Sequence, residues 1–308
     1  MEPISHYSPI FVSFFILQGL SSLGDRPMIP FVILLLGYVI ILGGNSMIIF
    51  VVQNKALHSP MYFFLCHLSF VDIVYTTTTI PKMLAGFLSD VSIISVPGCF
   101  LQMHFFMQLN CTGHAILTVM AYDRYVAICH PLHYTSIMTR RVQTLLIAGA
   151  WGFSTFCPLP VTTIALLRPY CGPNVVKHGW CDFSSVRRLA CADTSVDNIV
   201  SLFFAALSLL IPGVLILTSY VLIGISLSRM GAGQRLKAFR TCAAHLTVVS
   251  ISYNCPQPKE DVRIIVAVLY AALTPFLNPV IYSLRNKELQ ESIRRTLVRF
   301  RPATVLAS

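Results

Sequence analysis

Apolar runs of roughly 20 residues recur along this whole chain, broken by short polar segments, and that rhythm admits few folds. Such a run matches the thickness of a bilayer's hydrocarbon core when helical. Inside a bilayer only helices and closed barrels satisfy every backbone polar group. The runs lie at residues 30–52, 60–80, 97–125, 144–164, 198–227, 237–255 and 262–284, followed by a polar tail over 285–308. They predict an all-α membrane protein, a seven-transmembrane-helix bundle forming a single domain over residues 1–308. Composition agrees, with 11% of residues charged and 55% hydrophobic, where a soluble domain carries about 25% charged residues. The formal net charge of +10 does not point to nucleic acid, because the cations sit in short segments between apolar runs. With the segment after residue 125 in the cytosol, Lys55, Arg124, Arg140, Arg141, Arg229, Arg235, Lys237, Arg240, Arg285, Lys287, Arg294, Arg295, Arg299 and Arg301 all lie inside, 14 of the 22 Lys and Arg. The positive-inside rule then gives an odd number of spans with the N-terminus outside.

Within the spans, the polar and helix-bending residues carry the information. Residues 10–20 are apolar but too short to span and follow no basic stretch, so no cleaved signal peptide is expected. Span one holds Gly43-Gly44-Asn45: small residues for close helix contact, and an Asn that needs a partner across the bundle. Ser59-Pro60 opens span two, and Pro81 is expected to end it. Asp72 lies inside span two; an intramembrane carboxylate is either functional or a structural contact to Asn45 or span seven. Trp151 sits midway along span four, and Pro212 should kink span five. Span seven contains Asn278-Pro279-Val280-Ile281-Tyr282, where a proline frees a carbonyl and permits a bend that shifts between states. The tail, with Arg294, Arg295, Arg299 and Arg301, reads as an amphipathic helix against membrane lipid. No Gly-rich phosphate loop, no HExxH helix and no carboxylate pair near a nucleophile occurs, so neither an enzyme nor a cofactor is expected.

The stretch Met120–Tyr134, MAYDRYVAICHPLHY, puts Asp123 and Arg124 at the inner end of span three. A bare Asp-Arg-Tyr triplet is only a solvated helix end. The longer string closely resembles the third-helix and second-intracellular-loop signature of olfactory receptors, a branch of the rhodopsin-like G-protein-coupled receptors. LSFVD at Leu68–Asp72 with Pro81-Lys82-Met83, KAFRTCAAHLTVV at Lys237–Val249, SLRNKE at Ser283–Glu288 and Phe14–Leu20 resemble the same family. The resemblance implies a plasma-membrane receptor, in sensory cilia, for a small volatile, mostly apolar ligand, coupled to a stimulatory-type heterotrimeric G protein that raises cAMP. Ligand would shift the population toward an arrangement in which helix six moves out and Arg124 is released. Asp123, Arg124, Tyr125, Tyr220, Asn278, Pro279 and Tyr282 would form the switch, with Asp123 restraining Arg124 at rest. His104, Met107, Asn110, Cys111, Phe204, Ser208, Tyr253 and Ala271 would line the ligand cavity.

Cys171, Cys181 and Cys191 stand ten apart after span four, and Cys99 opens span three. On the outer, oxidising side these four permit three disulfide pairings, among which spacing does not choose. The family resemblance implies Cys99–Cys181 and Cys171–Cys191. A zinc site is the rival, with wide spacing and only His178 nearby. His104, Met107, Cys111 and His114 recur at three, four and three residues on one predicted face of span three. They read as a pocket lining and helix contact, with Cu(I) at Cys111 the minor alternative and no metal site expected. A transporter is a competing class, but apart from Asp72 the interior is apolar or neutral and no half-chain repeat is visible. Two departures from the family favour a receptor-like chain with impaired signalling. Gly113 stands where many relatives have a glutamate, and span six reaches Pro256-Gln257-Pro258-Lys259-Glu260-Asp261 after only 19 residues from Lys237, about 28 Å of helix.

Overall fold

The structure, a computed structural model, describes residues 12–18, 28–53, 59–89, 91–171, 173–228, 233, 242, 245–250, 263–285 and 287–299. Its axis is α3 (Val96–Cys129), 34 residues or about 51 Å of helix. Pro97 starts it in the first turn, where a missing N–H costs nothing, and the Ser95 hydroxyl accepts from Gly98 N. Around it stand α1 (Met28–Val52), α2 (Pro60–Phe87), the pair α5 (Arg140–Phe156) and α6 (Leu159–Leu166), α8 (Ser195–Ser228) and α9 (Arg263–Arg285). Helix α3 packs on α2, α5, α6 and α8, while α1 packs on α2 and α9. Short α4 (Tyr134–Ile137) and α7 (Phe183–Arg187) lie in connecting loops, and α10 (Lys287–Arg299) follows α9.

The sidedness of these helices is that of a protein dissolved in lipid. Helix α1 buries Ile41, Asn45, Ile48 and Val51, one face at helical spacing, and exposes Ile33, Leu36, Val39 and Ile40 on the other. Among the described residues, Met28–Val52, Pro60–Phe87, Arg140–Leu166 and Ser195–Ser228 are long and apolar enough to cross a membrane.

Two proline sites act differently from the sequence reading. Pro81 does not end α2, which runs on to Phe87. Around it, Thr76, Thr77 and Thr78 turn their hydroxyls back onto the carbonyls of Asp72, Ile73 and Tyr75, and Gln102 of α3 donates to Thr78 O (2.7 Å). The carbonyl that Pro81 leaves without its helical donor is that of Thr77, and the Gln102 bond to the neighbouring Thr78 O ties α2 to α3 beside it. Span four, by contrast, breaks into α5 and α6 at Cys157-Pro158, where two closely spaced prolines, Pro158 and Pro160, withhold N–H groups. Of span six, residues 242 and 245–250 are helical; the remainder of 237–255, with Tyr253, and the Pro256–Asp261 segment lie outside the described residues.

The end of the bundle opposite Arg124 carries a feature no pattern foretold. Strands β1 (Phe14–Leu17), β2 (Ser92–Ser95) and β3 (Val175–Val176) form a sheet of order β2-β1-β3. Phe14 pairs with Ser95 antiparallel, and Ile16 pairs with Val175 parallel. Phe15 and Leu17 point inward and pack with Cys99, Phe100, Met103, Val176 and Cys181. In α10, Leu289 is buried while Arg294 and Arg295 face out, the amphipathic sidedness expected of the tail.

Candidate functional site

At the end of the bundle that carries the sheet, Cys99 pairs with Cys181 (Cα atoms 5.4 Å apart) and Cys171 with Cys191 (5.7 Å). Gln102 locks the first of these in place, accepting from Cys181 N (3.0 Å) while donating to α2. A bidentate ion pair joins the end of α6 to the start of α8: Arg168 Nη2 lies 2.6 Å from Asp197 Oδ1, and Arg168 Nε lies 3.1 Å from Oδ2. Asp193 accepts from both N and Oγ of Ser195, bonds that hold its carboxyl below the usual range and start α8. The Arg168–Asp197 clamp escaped the sequence reading because its partners are 29 residues apart with no local signal.

The residues proposed to line a ligand cavity divide between two faces of α3. A cavity of about 50 Å³ lies between α2, α3 and α9, and Asn110 and Ala271 both line it, with Asp72, Gly113 and His114. His104 instead faces α6, its Nδ1 3.1 Å from Thr162 Oγ1, and Cys111 meets Ser154 and Cys157 at the α5–α6 break. Phe204 stacks edge-on with Phe156 (5.9 Å), Ser208 donates to Ala205 O within its own helix, and Met107 packs toward the outer cluster around Cys99. The physical reason is rotation: ten residues at about 100° each turn His114 some 80° away from His104. His104 and Cys111, seven residues and about 20° apart, both face α5 and α6, while His114 turns toward the cavity, so the soft-metal alternative at Cys111 with His114 loses its geometry.

Asp72 takes a 2.6 Å hydrogen bond from Asn278 Nδ2 of α9. Asn45 does not reach it, donating to Ile41 O and Pro275 O, each at 3.0 Å. Gly44 makes this approach possible: a Cβ there would stand 3.0 Å from the Pro279 Cβ. Tyr282, on the turn below Asn278, is buried.

At the opposite end of α3, Asp123 is buried and accepts from Tyr134 Oη at 2.7 Å. Burial and the Asp123 carboxylate hold the Tyr134 phenol well above its ordinary pKa, keeping it a donor. Arg124 and Asp123 form no ion pair; among the described residues the ion pairs are Arg168–Asp197 and Arg295–Glu291. Successive residues on a helix point about 100° apart, so adjacent side chains do not face each other. Asp123 stays within electrostatic reach of Arg124, and its carboxylate is tied to the loop as well, through Tyr134. Tyr125 Oη lies 3.3 Å from His130 Nε2.

Two turns above Arg124, a residue without an assigned role joins three helices. His245 Nε2 is 2.9 Å from Leu117 O of α3, and Tyr220 Oη of α8 is 2.7 Å from His245 Nδ1. A carbonyl only accepts, so Nε2 carries the proton and, in the neutral ring, Nδ1 accepts from Tyr220. The available signal was a lone histidine in the apolar run that follows Lys237.

Known proteins agree with this architecture. A family profile described as olfactory receptor matches residues 34–299. Olfactory receptor 10Q1 of Homo sapiens is 42% identical over 92% of this chain and 93% of its own length. Olfactory receptor 10T2 of Homo sapiens is 43% identical over 93% and 94%. Olfactory receptor 1M1 of Mus musculus is 41% identical over 97% and 98%. The chain therefore belongs to the olfactory receptor family and is a seven-helix, multi-pass membrane receptor of the G-protein-coupled class.

Proposed function

We propose that this receptor sits in the plasma membrane with its N-terminus outside, binds small, mostly apolar volatile molecules, and activates a stimulatory-type heterotrimeric G protein to raise cAMP. The observation that carries the reading is the junction of Leu117, Tyr220 and His245. It links helices three, five and six about 10 Å above Arg124, so a ligand that alters their packing changes the surface around that arginine. Leu132, 92% exposed on the turn after α3, offers the G protein an apolar anchor beside it. The excess of cations on the Arg124 side and the paired cysteines at the opposite end support the orientation. The test is expression in cultured cells with a cAMP reporter and a broad panel of volatiles. Dose-dependent cAMP that Arg124→Ala abolishes at equal surface expression supports it; silence across the panel at normal surface levels counts against it.

A further inference from the structure

Asp72 lies 5% exposed in α2 and takes a hydrogen bond from Asn278. Among the described residues the ion pairs lie elsewhere, at Arg168–Asp197 and Arg295–Glu291. A carboxylate taken out of water without a positive partner is costly, and one neutral donor does not offset that cost. Asp72 also lines a cavity of about 50 Å³ whose other polar walls are Asn110, His114 and Thr274. His114 Nδ1 lies 3.0 Å from Asn110 O. A carbonyl only accepts, so Nδ1 carries the proton and, in the neutral ring, Nε2 is an acceptor. Val71, Leu109 and Ala271 supply apolar wall. Gly113, also on the lining, keeps the space open, since a Cβ there would meet no atom within 4 Å.

We infer that this cavity is a binding site for a short primary alkylamine, its ammonium group on the Asp72 carboxylate and its alkyl chain against Leu109 and Ala271, in the space that Gly113 leaves. This names a ligand class for the receptor proposed above and rests on that reading. Such an amine is volatile as its free base, and it completes the site from either protonation state. As the ammonium it pairs with the carboxylate; as the free base it takes the proton of a neutral carboxyl, and the same ion pair results. The three N–H groups of a primary ammonium match acceptors on Asp72, Thr274 and His114. A quaternary ammonium brings no donor to them, and an alcohol brings no charge. A volume of about 50 Å³, against roughly 30 Å³ for a water molecule, selects short chains.

The test is thermal unfolding of the purified receptor in lipid nanodiscs, at fixed pH and in a choline chloride background, with ethylamine, ethanol, tetramethylammonium and sodium as probes. Ethylamine should raise the melting temperature saturably, as a ligand of the folded state does, while ethanol and tetramethylammonium leave it unchanged. Asp72→Asn should weaken the ethylamine effect roughly tenfold or more, as loss of a charged hydrogen bond does. Gly113→Val, which fills the open space and removes no polar group, should abolish it. No effect of ethylamine, an equal effect of tetramethylammonium, or an effect undiminished in Gly113→Val overturns the assignment. Stabilisation by sodium to which ethylamine adds nothing also overturns it, because the occupant is then a metal cation. If ethylamine stabilises the receptor but raises no cAMP in cells, the site stands and the signalling reading falls. If Asp72→Asn does not fold, the native titration and Gly113→Val decide.

Discussion

Tyr220 and His245 lie with ring centroids 5.8 Å apart and nearly parallel, and share a 2.7 Å hydrogen bond while His245 also reaches Leu117 O. One imidazole thereby holds helix six to both helix three and helix five, and His245 is buried. Tyr220→Phe strands one ring nitrogen; His245→Ala removes both contacts and strands the phenol. Each should lower the thermal stability of the purified receptor by about 1–3 kcal/mol. The double variant should fall short of the sum by about 1 kcal/mol, because the two side chains share one interaction. Strict additivity in thermal unfolding would show that the pair is not coupled.

Arg124 should be needed for coupling but not for ligand binding. It stands 14 residues below Asn110 on α3, about 21 Å along the axis. Since Asp123 is held by Tyr134, the structure adds a second expectation. Tyr134→Phe leaves a buried carboxylate without its donor, costs about 1–3 kcal/mol, and loosens the loop that carries Leu132. Reduced ligand-driven cAMP in Tyr134→Phe at unchanged ligand affinity is the expected outcome. Full cAMP responses in Arg124→Ala would remove this end of the helix from the switch.

The two disulfides should differ in weight. Cys99–Cys181 closes a separation of 82 residues and Cys171–Cys191 one of 20. On the chain-entropy view, the longer closure stabilises by about 1 kcal/mol more, within an expected range of about 2–5 kcal/mol for either. Cys181→Ser also detaches the segment that places Trp180. Surface expression and thermal inactivation should therefore suffer more in Cys181→Ser than in Cys191→Ser. Mass spectrometry of unreduced peptides that found Cys99 and Cys181 as free thiols in folded receptor would sink the argument.

What the sequence made legible was whatever repeats at bilayer length or sits as a charge inside an apolar run. Asp72 was singled out by its charge alone, yet its partner, Asn278, is 206 residues away and one of two that chemistry allowed. Helical periodicity located His104, Cys111 and His114 on α3 but put them on one face, because a spacing of three, four and three averages less than the 3.6 residues of a turn and drifts by about 80° over ten residues. The strand at Phe14–Leu17 was invisible because its pairing partners come from two distant loops. His245 was passed over for a different reason. Single polar groups in apolar surroundings carry no pattern, and only their contacts give them meaning.

Helix six offers the hardest test of whether this receptor signals. Its apolar run from Lys237 reaches only Cys255 before Pro256 and Pro258 forbid regular helix, about 28 Å in all. That run barely matches a bilayer core, and the sequence supplies no apolar extension of it beyond Cys255. His245 lies eight residues into this run of 19, so its tie to Tyr220 and Leu117 falls near the middle of the run. A run tied there, with no apolar sequence after Cys255 to extend it, is expected to give ligand little purchase on helix six. The expected outcome is weak cAMP responses and low surface expression in the native chain. Both should improve when two turns of apolar helical sequence are inserted after Cys255. Strong native responses at normal surface levels, unimproved by the insertion, would establish the short helix as a working variant.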